Sequence, residues 1–87
     1  MNEKEDNRGF PCPCCGFLTM GEKDHLSYDI CPVCAWEDDS IQFDDPDMRG
    51  GANSVSLNEA RENFKKFKTH DPKCRVKVRE PLPDEIP

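Results

Sequence analysis

Two cysteine pairs constrain this chain more than anything else in it: Cys12-Pro13-Cys14-Cys15-Gly16 and Cys31-Pro32-Val33-Cys34, separated by the fifteen residues from Gly16 to Ile30. Two residues between thiolates let the backbone curl until both sulfurs face one ion, and two such pairs at this separation supply a tetrahedron of sulfur ligands. The proline in each gap fixes φ for the curl, and Gly16 offers the positive φ that closes it. Cys12, Cys15, Cys31 and Cys34 are therefore the predicted ligands of one Zn2+ per chain, with Cys14 and Cys74 outside the set. Iron is the alternative ion, since the same pairs hold it in rubredoxin. His25 is read as a solvated turn residue, because four thiolates already complete the coordination. A disulfide framework of the six cysteines is disfavoured in a chain read as cytoplasmic. A closed tetrathiolate leaves no position for water or substrate, so the site is expected to hold the fold together and the chain is read as non-enzymatic.

Such a staple is needed. At 87 residues and 34% hydrophobic the chain is one domain with little core material, and chains of this size bury too small a fraction of their surface to be stable without help. The charge is −6 with a pI near 4.8, and four thiolates with one divalent ion make it more negative. That sign opposes general capture of a phosphate backbone, so nucleic acid is not the expected partner. No stretch reaches the length of a membrane span, and the opening residues lack an apolar signal core. A cytoplasmic protein with no membrane association is the expectation.

Along the chain, residues 1–9 read as a disordered polar tail, 10–80 as one domain and 81–87 as a proline-rich C-terminal tail. Leu26, Tyr28 and Ile30 alternate with Ser27 and Asp29, which predicts a hairpin turning at Gly21 to Asp24. Glu37 to Asp47 carries six carboxylates and reads as a loop, with Ile41 and Phe43 tucked into the core. Ser56-Leu57-Asn58-Glu59 is a capping box, and Leu57, Ala60, Phe64 and Phe67 fall on one helical stripe that ends before Asp71-Pro72. Lys73 to Arg79 alternates basic with apolar and predicts a last strand. The expected fold is a small α+β zinc ribbon: a knuckle hairpin, one amphipathic helix and a short C-terminal strand.

Cys12-Pro13-Cys14-Cys15-Gly16, Tyr28-Asp29-Ile30-Cys31-Pro32-Val33-Cys34, Trp36-Glu37-Asp38-Asp39, Asp45-Pro46-Asp47, Gly50-Gly51-Ala52-Asn53 and Ser56-Leu57 with Glu59-Ala60-Arg61 and Asn63-Phe64 together resemble the cysteine-rich CPCC domain family of small bacterial proteins. The resemblance implies a zinc-ribbon-like domain and brings no settled activity with it. Ala35 departs from the glycine that commonly closes a ribbon knuckle.

Glu37, Asp38, Asp39, Asp44, Asp45 and Asp47 form the candidate docking face for a basic protein partner. The spacing does not match a calcium loop, and Arg49-Gly50-Gly51-Ala52-Asn53 lacks the lysine of a phosphate loop. Trp36 is expected to shield the sulfurs. The reading is thus a zinc-binding protein-interaction module, with accessory or immunity roles of an antitoxin-like kind in view. Its rivals are a rubredoxin-like iron electron carrier and a nucleic-acid-binding ribbon using Lys73 to Arg79.

Overall fold

A computed structural model describes residues 9–87. The expected tail of residues 1–9 lies outside them except for Gly9, which packs so closely that an added Cβ would fall 2.6 Å from the Met20 carbonyl oxygen. Strand β1 (Phe10–Pro11) pairs antiparallel with β2 (Leu18–Met20), Phe10 opposite Met20 and Pro11 opposite Leu18 with an irregularity between them. The first cysteine pair forms the turn of this hairpin. The second pair turns in the same way between Ile30 and Glu37, which form an isolated antiparallel bridge.

The hairpin expected across Gly21 to Asp24 is therefore replaced by two small ones, each wrapped around its own cysteines. The reason is local. A C-x2-C turn already reverses the chain, so strand pairing begins at the knuckle and leaves 21–29 as an irregular connection. His25 and Tyr28 take φ of 63° and 57° within it, which no strand accommodates, and Leu26, Tyr28 and Ile30 remain exposed.

Helix α1 (Ser40–Asp44) interrupts the acidic segment read as a loop. Asp39 caps it, its Oδ1 accepting from the amides of Ile41 and Gln42 at 2.8 and 3.3 Å. The burial expected of Ile41 and Phe43 is not found: both stay exposed, and Gln42 goes inside instead. Helix α2 (Leu57–Phe67) has the anticipated capping box, with Ser56 Oγ accepting from the Glu59 amide and Glu59 Oε1 accepting from the Ser56 amide. It ends on Lys68 in the left-handed conformation. Leu57 and Ala60 are buried and Phe64 packs against the core edge-on to Phe17, while Phe67, the end of the stripe, points away at 53% exposure.

No strand forms over Lys73 to Arg79; the segment leaves a turn at Pro72 and Lys73, bends at Val76 and has no ladder partner among the described residues. The proline-rich C-terminal segment includes a 3₁₀ turn, Pro83–Glu85, tied back by Glu85 Oε1 and Oε2 accepting from Arg79 Nη1 and Nη2 at 2.9 and 3.0 Å. The core is built around sulfur. Cys12, Cys14, Cys31 and Cys34 cluster with Met20, Val33, Trp36, Leu57 and Ala60, so the few apolar side chains available surround the cysteines. The fold is small, α+β and cysteine-centred. No helix of the described residues is long and apolar enough to cross a membrane.

Candidate metal centre

The two knuckles are built alike. In the first, the Cys12 amide donates to the Phe17 carbonyl at 2.8 Å and the Gly16 amide to the Cys12 carbonyl at 2.8 Å; in the second, Cys31 donates to Trp36 at 2.9 Å and Ala35 to Cys31 at 2.7 Å. Gly16 and Ala35 occupy corresponding positions, with φ of 83° and 69°. Ala35 thus adopts the conformation that the glycine-like position demands, and accepts the strain of a left-handed Cβ while its methyl is buried.

The ligand atoms of Cys12, Cys15, Cys31 and Cys34 all lie within 4.8 Å of one another. Cys12 approaches Cys34 at 3.6 Å and Cys15 approaches Cys31 at 3.7 Å. All six cysteines are free thiols. Cys14, expected to stand outside the set, does so while packing into the core, and Cys74 is half-buried in the C-terminal segment.

Electrostatics make this arrangement one that asks for a cation. Hydrogen bonds from Cys12, Cys15 and Cys34 push the Cys31 thiol far below its ordinary range. The thiols of Cys12 and Cys34 are pushed far above it, the first by hydrogen bonding to Cys15 and Cys31 and the second by hydrogen bonding to Cys12 and Cys14, with burial adding to both. Ionisation of one sulfur is thus favoured at the expense of its neighbours. A divalent ion removes the conflict by stabilising all four thiolates together. The residues fit such an ion: four soft donors, largely buried, in two closed turns. Thr19 Oγ1 donates to Cys31 Sγ at 3.0 Å and the Val33 amide donates to the same sulfur at 3.4 Å, the kind of surrounding contact that orients a sulfur ligand.

The sequence model of the family described as Cysteine-rich CPCC matches residues 10–85. The chain belongs to the cysteine-rich CPCC family. The match includes Pro81 to Glu85, which the structure folds back onto Arg79. Comparison with curated proteins finds none that matches the chain. In this CPCC protein the four clustered cysteines are the group of metal-ligating residues found among the described residues.

Neither histidine is among the clustered ligand atoms. His70 is buried; its ring Nδ1 and its backbone amide both donate to the Cys34 carbonyl, at 2.9 and 2.8 Å, and its ring meets Trp36 edge-on. Trp36 is fully buried in the same cluster as the cysteines, as expected of a shield, and its indole N–H has no partner among the described residues. His25 differs from the solvated turn residue anticipated. Its Nδ1 lies 3.0 Å from each oxygen of the buried Asp38 carboxylate, and its ring stacks on Phe43 at 3.9 Å.

The six acidic residues read as one docking face are divided by the structure. Asp38 and Asp39 are buried, the first against His25, the second capping α1 and accepting from the Ala52 amide at 2.9 Å. Glu37 is half-buried, its amide and carbonyl held by the Asn53 side chain. Asp44, Asp45 and Asp47 are exposed. Sequence gives no sign of either buried aspartate because their partners, His25 for Asp38 and the Ala52 amide for Asp39, each lie thirteen residues away.

Burial raises the pKa of Asp38 despite the opposing pull of His25. A carboxyl whose folded pKa is raised contributes its stabilisation fully below the ordinary carboxylate range and loses it as pH rises through the folded value. Measured against Asp38→Asn, which does not titrate, the native protein is expected to lose relative stability as pH rises from about 4. Thermal melts of both proteins across that range check it; a difference that stays flat with pH contradicts the assignment.

Proposed function

We propose that this CPCC protein is a non-enzymatic, zinc-stabilised protein-interaction module, serving as an accessory or immunity protein that covers a basic surface on its partner. The observation that carries the reading is the closed set of four thiols, mostly buried in the core, to which neither histidine contributes. Cys12, Cys15, Cys31 and Cys34 would hold the ion, which would supply cross-linking of the two knuckles. A set of four soft ligands favours a structural ion over one that polarises a substrate.

The partner surface in this reading is the exposed remainder of the acidic segment, Asp44, Asp45 and Asp47, presented where α1 ends. Exposed charges of one sign steer association and are screened beyond about 8–10 Å at physiological salt. Replacing these three with Lys is expected to slow association with a basic partner and weaken the complex while zinc content stays native. Pull-down of native and charge-reversed protein at two salt concentrations tests it, and identical partner profiles reject the docking face.

An iron electron carrier is the second reading, and the two hydrogen bonds to Cys31 Sγ are what favour it, because donors to ligand sulfur tune the potential of an iron centre. Colour separates the two, since iron tetrathiolate absorbs visible light and zinc does not.

A further inference from the structure

Lys73 to Arg79 has the residue pattern of a strand and no strand to pair with. Its ends are pinned: the Cys74 amide donates to the Asp71 carbonyl at 2.9 Å, the Arg79 amide donates to the Pro32 carbonyl at 3.0 Å, and Glu85 clamps the Arg79 side chain. Between the pins, the amides of Arg75, Val76, Lys77 and Val78 donate to no acceptor among the described residues. None of these residues takes a positive φ. Val76 and Val78 are 47% and 39% exposed, and no ion pair among the described residues engages Lys73, Arg75 or Lys77. At its Arg79 end the segment borders a cavity of about 350 Å³ lined by Phe17, Val33, Phe64, Lys68 and Val78.

We propose that residues 73–79 are a docking strand that pairs edge to edge with an extended acidic segment of a partner protein, one large apolar side chain of which enters the Phe17–Phe64 cavity. Amides without acceptors along an anchored segment, here bent at Val76, offer a template for strand addition that an incoming strand would straighten. Main-chain pairing supplies the contact and the two side-chain rows supply the choice of partner. Cations at alternate positions select carboxylates at alternate positions on the incoming strand, where cross-strand opposite charges attract. A second copy of the chain is a poor occupant. Antiparallel pairing of this segment with itself about Val76 sets Arg75 opposite Lys77, and like charges directly opposed repel. Val76, Val78 and the apolar cavity favour a protein strand over a nucleic acid. This surface is separate from the acidic one and does not rest on it.

The test uses the full metal-loaded chain and a labelled synthetic peptide that alternates glutamate with valine and carries one phenylalanine. Controls are the same peptide with lysine for glutamate and a single-stranded oligothymidylate. Fluorescence anisotropy is expected to show binding of the glutamate peptide alone. Val76→Pro removes an amide that no intramolecular contact uses, and Arg75→Glu with Lys77→Glu reverses the charge; each is expected to weaken binding by about tenfold or more. Val76→Thr keeps the amide and should bind like the native chain. Zinc content and helical circular dichroism confirm that each variant is folded. On binding, the amides of 75–78 should gain protection from hydrogen exchange. Failure of the glutamate peptide to bind, equal binding of the lysine peptide, tighter binding of oligothymidylate, or native affinity in folded Val76→Pro each overturns the proposal.

Discussion

Chelating the metal from this protein is expected to unfold it, and Cys31→Ser is expected to prevent folding. The core explains why. Four of the nine buried residues in its central cluster are cysteines, and three of those four are predicted ligands. Without an ion the chain must bury several thiols whose shared negative charge it cannot accommodate, around only a handful of true apolar side chains. Structural zinc contributes about 10–16 kcal/mol in small domains, which matches or exceeds the roughly 5–15 kcal/mol of net stability that ordinary domains possess. Elemental analysis should give one metal ion per chain. Circular dichroism during chelation should show loss of the α2 helix signal, recovered on adding zinc back. Cys74→Ser should keep native metal content, because Cys74 is not among the clustered ligand atoms. A chain that retains its fold with no metal bound rejects the structural role.

The second large effect is expected at Gln42. Its side chain is fully buried on α1, and it spans three separate stretches of backbone. Nε2 donates to the carbonyls of Met48, Asn53 and Val55 at 3.0, 3.3 and 3.1 Å, while Oε1 accepts from the Asn53 amide and side chain at 3.1 and 3.0 Å. Gln42→Leu keeps the size and removes every one of these bonds, leaving buried carbonyls and two N–H groups of Asn53 without partners. Each stranded group costs about 1–3 kcal/mol, and rearrangement recovers part, so a loss of about 3–5 kcal/mol is expected. Denaturant titration of the metal-loaded protein measures it. A loss under about 1 kcal/mol would mean that this clasp is dispensable.

These two sites also show what could be read from the chain before its structure. The ligand pairs are local, each closed by hydrogen bonds five residues or fewer apart, and so their spacing carried the information. The cap at Ser56 is local in the same way. The alternation of Leu26, Tyr28 and Ile30 misled because a knuckle supplies its own chain reversal and consumes Ile30 in a bridge to Glu37. Alternation over Lys73 to Arg79 misled differently: the pattern is present and the pairing strand is not. Helix α1 is only five residues long, too short for periodicity, although Asp39 stands where an N-cap would. Gln42 with Asn53, His25 with Asp38 and His70 with Cys34 join residues that are 11 to 36 positions apart, and nothing in residue type alone selects those partners. The acidic segment is the instructive failure. Two of its six carboxylates are spent inside, on a cap and a histidine, so a run of charge in sequence need not be a charged face in space.

The likeness of the two knuckles would shape how an ion is taken up. Each closes by its own short-range bonds, so each presents two sulfurs before the other is in place. Capture of an ion by either pair leaves only the fifteen-residue connection from Gly16 to Ile30 to be closed, and that second step is intramolecular, favoured by a high effective concentration. A half-coordinated chain therefore proceeds to completion or releases its ion. When metal is scarcer than protein, the population is expected to divide into fully loaded, folded molecules and empty, unfolded ones, with the folded fraction rising in proportion to the ion supplied.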